Sequence, residues 1–283
     1  MQSKYVRMML VHVAILGVTS ASAPEPSPAR SGPPSDGYEL VWSDEFDGES
    51  LDMTKWEYRG LGRRREAVNV TDTVRLDGQG NLVLTTRRVG DEIHTAMIGT
   101  QGKYETTFGY FECRVKLQRT HGNWSAFWLQ SPTYGAKIGD LTAAGAEIDI
   151  YECFESRNGW VAHNVHWDGY QEHHKHAGSG RKKVEGLLDG YHTFGLEWTP
   201  DEYVFYIDGE VTWRTSEGVS RADEYIILSL EVGRKQAAIV REDPDFEDSV
   251  WFDYVRVFKQ KPTADAQSVI ASSHWYKKNP LWT

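Results

Sequence analysis

The sequence predicts an all-β protein, a sandwich of antiparallel strands, on three observations. From about residue 38 it is a succession of short runs rich in β-branched and aromatic residues, punctuated by Gly, Asp and Asn. Apolar periodicity at 3.6 residues per turn is scarce, so packed sheets must bury the core. No unit of roughly 20–50 residues repeats, which argues against propellers and solenoids.

The elements follow in order. Residues 1–23 carry Lys4 and Arg7, then the apolar run MMLVHVAILGV, then the small residues of SASA. This pattern reads as a signal peptide, and the apolar run is too short to span a bilayer. Residues 24–36, Pro- and Ser-rich, read as a linker. Strands are expected in NLVLTTRR, FGYFECRVKL, YIILSLEVG and SVWFDYVRVFK. In YVFYIDGEVTWR two alternating runs meet at Asp208-Gly209, the signature of a hairpin with a type I′ turn. The domain is expected to occupy residues 37–260, with a tail over 261–283.

Composition narrows the function. The formal charge is −10, or −12 once Lys4 and Arg7 are removed with the leader. Nucleic acid is therefore excluded as a partner, no membrane span is expected, and export predicts a secreted or periplasmic location. Eleven Trp, fourteen Tyr and ten Phe supply core packing and also flat platforms for sugar rings. The cluster Arg59, Arg63, Arg64 and Arg65 reads first as a solvated loop, with sulfated or carboxylated sugars as the alternative. Cys113 and Cys153 permit at most one bridge and read equally well as buried small residues.

The chemistry concentrates in GAEIDIYE, residues 145–152. Alternation puts Glu147 and Asp149 on one face of a strand, but Glu152 breaks the parity and would point into the core. An ionised carboxylate is costly there. A one-residue β-bulge around Ile150 and Tyr151 resets the facing and brings all three acids to one side. With strand steps of ~3.3 Å the outer Cα atoms lie about 13 Å apart, and inward-leaning side chains leave about 5–6 Å between carboxyl groups. That separation suits double-displacement hydrolysis of a glycoside, with one acid as nucleophile and the other as proton donor. One metal ion is not expected to reach all three acids.

On the motif E-I-D-I-Y-E the chain resembles glycoside hydrolase family 16, the retaining endo-glycanases of laminarinase, lichenase, agarase and carrageenase type, in its bulged E-x-D-x-x-E form. The resemblance extends through LVWSDEFDGESLDMTKWEY, GNWSAFWLQS, YHTFGLEWTP and FDYVRVFK, in the family's order. It implies a β-jelly-roll of two curved sheets with an open cleft for a linear polysaccharide. It also implies Glu147 as nucleophile, Asp149 as its helper and Glu152 as acid/base. Trp124, Trp128, His166 and Trp167 match substrate-binding positions of the cleft wall. Glu45 and Asp253 match positions that hold a structural calcium ion; catalysis itself needs no cofactor. His173, His174 and His176 read as solvated or sugar-contacting rather than metal-binding.

The sequence therefore predicts a secreted, monomeric endo-β-glycanase acting on β-1,3- or mixed-linkage β-1,3-1,4-glucan. The alternatives are an endo-β-galactanase on agar, porphyran, carrageenan or O-glycans, and a non-catalytic lectin. Trp124-Ser125 stands where many laminarinases carry Trp-Pro, and the loop DGYQEHHKHAGSGRKK fits no single substrate pattern.

Overall fold

The computed structural model describes residues 31–262, so the leader, most of the linker and nearly all of the tail lie outside the described residues. One layer of the sandwich orders its strands Tyr38–Asp44, Glu247–Gln260, Gly109–Lys116, His192–Trp198, Tyr203–Ile207 and Glu210–Thr215, every pair antiparallel. The other runs Glu92–Gly99, Glu224–Glu231, Trp124–Gln130, Glu147–Glu155, Trp160–Trp167 and Lys175–Gly178. The strand Leu82–Val89 pairs with both Glu247–Gln260 and Glu92–Gly99, so it stitches the layers together along one side.

Alternation builds the core between the layers. Phe127, Leu129, Ile148 and Tyr151 point inward from one sheet and meet Cys113, Val115, Phe194 and Leu196 from the other. The Tyr151 and Phe194 rings lie 4.4 Å apart. Cys113 and Cys153 are both buried thiols that fill this core as small apolar side chains. Asn69 and Asn123, each in a glycosylation sequon, are buried at 3% and 0% exposure, so neither side chain is offered to solvent.

The predicted hairpin closes at Asp208 and Gly209, with φ of 52° and 80°, the left-handed pair that a type I′ turn requires. The helix Arg234–Glu242 was not expected. Only Ala237 and Val240 are buried in its nine residues, too narrow an apolar stripe to stand out as a helical period.

Candidate active site

The strand Glu147–Glu155 carries the predicted bulge. Trp128 pairs with Asp149 and Phe127 with Tyr151, so Ile150 has no partner of its own on that side. On the other side Asp149 faces Asn164 and Glu152 faces Ala162, three residues of advance against two. Ile148, Ile150, Tyr151 and Cys153 all enter the core, while Glu147, Asp149 and Glu152 line one cleft of about 890 Å³.

A buried histidine secures the kink. His163 is fully buried, its Nδ1 lies 2.6 Å from the Ile150 carbonyl, and its Nε2 lies 2.9 Å from Thr212 Oγ1. The imidazole thus occupies a carbonyl at the irregular point of the ladder. Burial lowers its pKa from 6.5 to about 4, so the ring is neutral and Nδ1–H donates. Because this histidine's pKa is depressed on folding, its contribution is present above 6.5 and is lost as pH falls towards 4. Equilibrium unfolding between pH 7 and 4 is expected to show about 3 kcal/mol of acid-dependent loss from this group, a loss that His163→Gln removes.

The strand's entry is equally constrained. Gly145 sits at φ +61°, where a Cβ would collide with the Ser131 side chain and approach Glu224 Oε1 to 2.8 Å. Glu224 is fully buried and accepts the Ala146 N–H at 3.0 Å, which fixes the start of the acidic strand. Gly145→Ala is expected to cost about 2–4 kcal/mol, through positive-φ strain plus overpacking, and to appear as a lowered thermal midpoint.

The three acids have different surroundings. Glu147 accepts from Gln130 Nε2 at 2.8 Å and from the Tyr170 hydroxyl. Gln130 is held in turn, its Oε1 accepting from Arg59 at 2.7 Å and Tyr225 at 2.9 Å. Asp149 has 4% exposure, and His166 Nε2 lies 3.4 Å from its Oδ2. Glu152, 7% exposed, accepts from Asn164 Nδ2. Burial raises all three pKa values and, with neighbouring carboxylates adding to it, holds Asp149 and Glu152 well above the ordinary carboxylate range. At Glu147 burial is opposed by Tyr170, His166 and Gln130, so it is the acid best equipped to ionise.

Most of the predicted wall residues converge here. Trp124, Trp128 and His166 line the cleft. Trp128 is 6% exposed and donates from Nε1 to Ser229 Oγ at 3.1 Å, so it forms floor more than platform. Trp167 does not line it, a correction that follows from alternation: His166 faces the cleft, so its neighbour turns away and packs against the core beside Gly218. Glu147, Asp149 and His166 present ligand atoms within 4.8 Å of one another, a grouping that does not include Glu152.

Residues that the sequence left aside also belong to the site. Arg59, Arg63, Arg64 and Arg65 line the cleft, with Arg63 and Arg65 exposed, so the cluster is solvated and also borders the site. Arg64 pairs with the buried Glu231 at 2.8 Å, Arg65 pairs with the same carboxylate, and the Arg65 guanidinium lies 4.6 Å over the Trp124 ring. Tyr170 and His174 come from the long polar loop. Gln130 and Asn164 were findable, because each shares parity with a predicted cleft residue on its own strand. Tyr170 had no such signal.

The two side chains expected to hold calcium are each engaged by an arginine. Both Glu45 oxygens accept from Arg256, at 3.0 and 2.7 Å, and Asp253 accepts from Arg114 at 2.6 Å. Each carboxylate is paired with its own arginine, so a hard cation would have to compete with that pairing.

Comparison with known proteins then decides the family. The model of glycosyl hydrolases family 16 matches residues 62–232. The chain belongs to glycosyl hydrolase family 16. It is 29% identical over 247 residues to a beta-glucanase of Rhodothermus marinus, covering 78% of this chain and 85% of that protein. It is 28% identical to a keratan-sulfate endo-1,4-beta-galactosidase of Sphingobacterium multivorum, covering 78% of this chain but 55% of that protein, so it spans about half of the latter. The catalytic domain of an endo-1,3-beta-glucanase (laminarinase) from Thermotoga petrophila superposes with a TM-score of 0.65 at 26% identity, over 79% of this chain and 98% of that one. The sandwich is thus the jelly-roll of family 16, and the chain is an endo-acting glycoside hydrolase.

Proposed function

We propose that this family 16 member is a retaining endo-β-glycanase exported from the cytoplasm, in which Glu147 is the nucleophile, Asp149 its helper and Glu152 the acid/base. The observation that carries this reading is the bulge, which turns three acids onto one cleft face and gives them unequal surroundings. Glu147, with two donors, attacks the anomeric carbon. Glu152, held protonated by burial, gives its proton to the leaving oxygen and later activates water. Asp149, buried between them, adds the electrostatic coupling that keeps one acid protonated.

The relatives' names support a β-glucan with 1,3 linkages as the main chain. One observation favours a second reading, a galactan bearing anionic groups: four arginines line the cleft, and one of the relatives named above is a keratan-sulfate galactosidase. Product sizing after incubation with laminarin, barley glucan, lichenan, agarose, porphyran, carrageenan and mucin separates the two. Short oligosaccharides from laminarin or mixed-linkage glucan support the first, and cleavage confined to galactans supports the second. A chain that binds these polymers but cuts none would be the lectin. Export rests on residues 1–23, and mass spectrometry of the mature N-terminus tests it.

A further inference from the structure

A second depression, of about 340 Å³, opens beside Glu152 and shares that residue and Phe154 with the cleft. Its size falls within the roughly 300–1,000 Å³ of small-ligand pockets. It continues past the acid/base end of the catalytic strand to the helix Arg234–Glu242 and is bounded by Trp160, His121, Arg181 and Lys235.

The lining combines two chemistries. Phe154 and Ile239 are exposed apolar side chains at 36% and 39%, and the Phe154 ring lies 4.5 Å from that of Trp124, so Phe154 joins the cleft wall to the depression. The polar lining carries positive charge at Lys235 and Arg181, beside the amide of Gln236 and the ring of His121. Lys235 is exposed and has no carboxylate partner among the described residues. His121 Nε2 is buried without a hydrogen-bond partner. Glu152 is the only carboxylate among the described lining residues, and in the proposed mechanism it begins the cycle uncharged.

We propose that this depression is a side subsite for an anionic substituent, a sulfate ester or a carboxylate, carried by a sugar in contact with Glu152. The inference rests on the retaining-endo-glycanase reading for its place in the reaction, but not on the identity of the main chain. Phe154 and Trp160 face the sugar ring, while Lys235 meets the charge. A neutral unbranched glucan leaves the depression empty, so the subsite adds weight to the anionic-galactan reading.

Titration of the whole chain with galactose 6-sulfate, glucuronic acid and galactose, followed through the Ile239 methyl and Trp160 indole NMR signals, tests the subsite directly. Both anionic sugars are expected to shift these signals saturably, galactose is not, and Lys235→Glu is expected to weaken the effect at least tenfold while leaving the rest of the spectrum in place. Equal response to galactose, no response, or an unchanged response in Lys235→Glu would overturn the proposal. With a sulfated polysaccharide and its desulfated form, the ratio of kcat/KM values is expected to fall at least tenfold in Lys235→Glu. An unaltered ratio in an active enzyme counts against the subsite alone, whereas failure to cleave any glycan counts against the catalytic reading.

Discussion

Replacing Glu147 by Gln is expected to lower kcat by about 10⁴-fold or more while leaving polysaccharide affinity within a few-fold of the unaltered protein. The amide keeps the shape and retains an oxygen to accept from Gln130 and Tyr170, so the cleft wall is undisturbed. What it lacks is the anionic oxygen that forms the glycosyl-enzyme bond. Turnover and binding, measured on the same polymer, separate these effects. Loss of both together would mean that Glu147 organises the wall, and loss of neither would remove it from the chemistry.

Glu152→Ala is expected to behave differently. On a natural glycan it should lose about 10²–10⁴-fold, because nothing protonates the leaving oxygen. On an aryl glycoside with a good leaving group, which needs no proton, the first step survives and the trapped intermediate waits for a base-assisted water. Added azide enters the vacated space, needs no general base and should restore turnover, with the glycosyl azide keeping the substrate's anomeric configuration. The pH profile gives an independent check. Burial and Asp149 hold the Glu152 proton well above the ordinary carboxylate range, so kcat/KM should fall as pH rises through that raised value. The alkaline limb should disappear in Glu152→Ala on the activated substrate, and persistence of the limb would place the titrating acid elsewhere.

What the sequence revealed and what it hid follow from the range of the interactions involved. The acidic strand was legible because its puzzle is local: alternation fixes the facing of Glu147 and Asp149, and a buried charge at Glu152 would be costly, so a bulge at Ile150 and Tyr151 was the economical solution. The device that holds the bulge was not legible. His163 reaches the Ile150 carbonyl from the next strand, and that register is known only once the strands are paired. The same parity rule that turns His166 into the cleft turns Trp167 away from it, although the resemblance implies both in the wall.

The arginines show the complementary limit. Charge in a Gly-rich loop reads as solvated when nothing nearby in the chain opposes it. Here the partner, Glu231, lies 167 residues from Arg64, so only tertiary folding reveals that Arg64 and Arg65 line the cleft. Tyr170 is similar: 56% exposed and in a polar loop, it has no sequence feature to distinguish it from an ordinary surface tyrosine, yet it donates to Glu147. The arginines opposite Glu45 and Asp253 are likewise visible only in the paired strands.

The stereochemistry of the first-formed product tests the central claim most directly. Proton NMR of the reducing end released during the earliest minutes of hydrolysis reports whether the new anomeric centre keeps the β configuration. The arrangement of Glu147 and Glu152 predicts β first, with α appearing only by later mutarotation. Release of the α anomer first would mean a single displacement by water, and would contradict a covalent intermediate on Glu147.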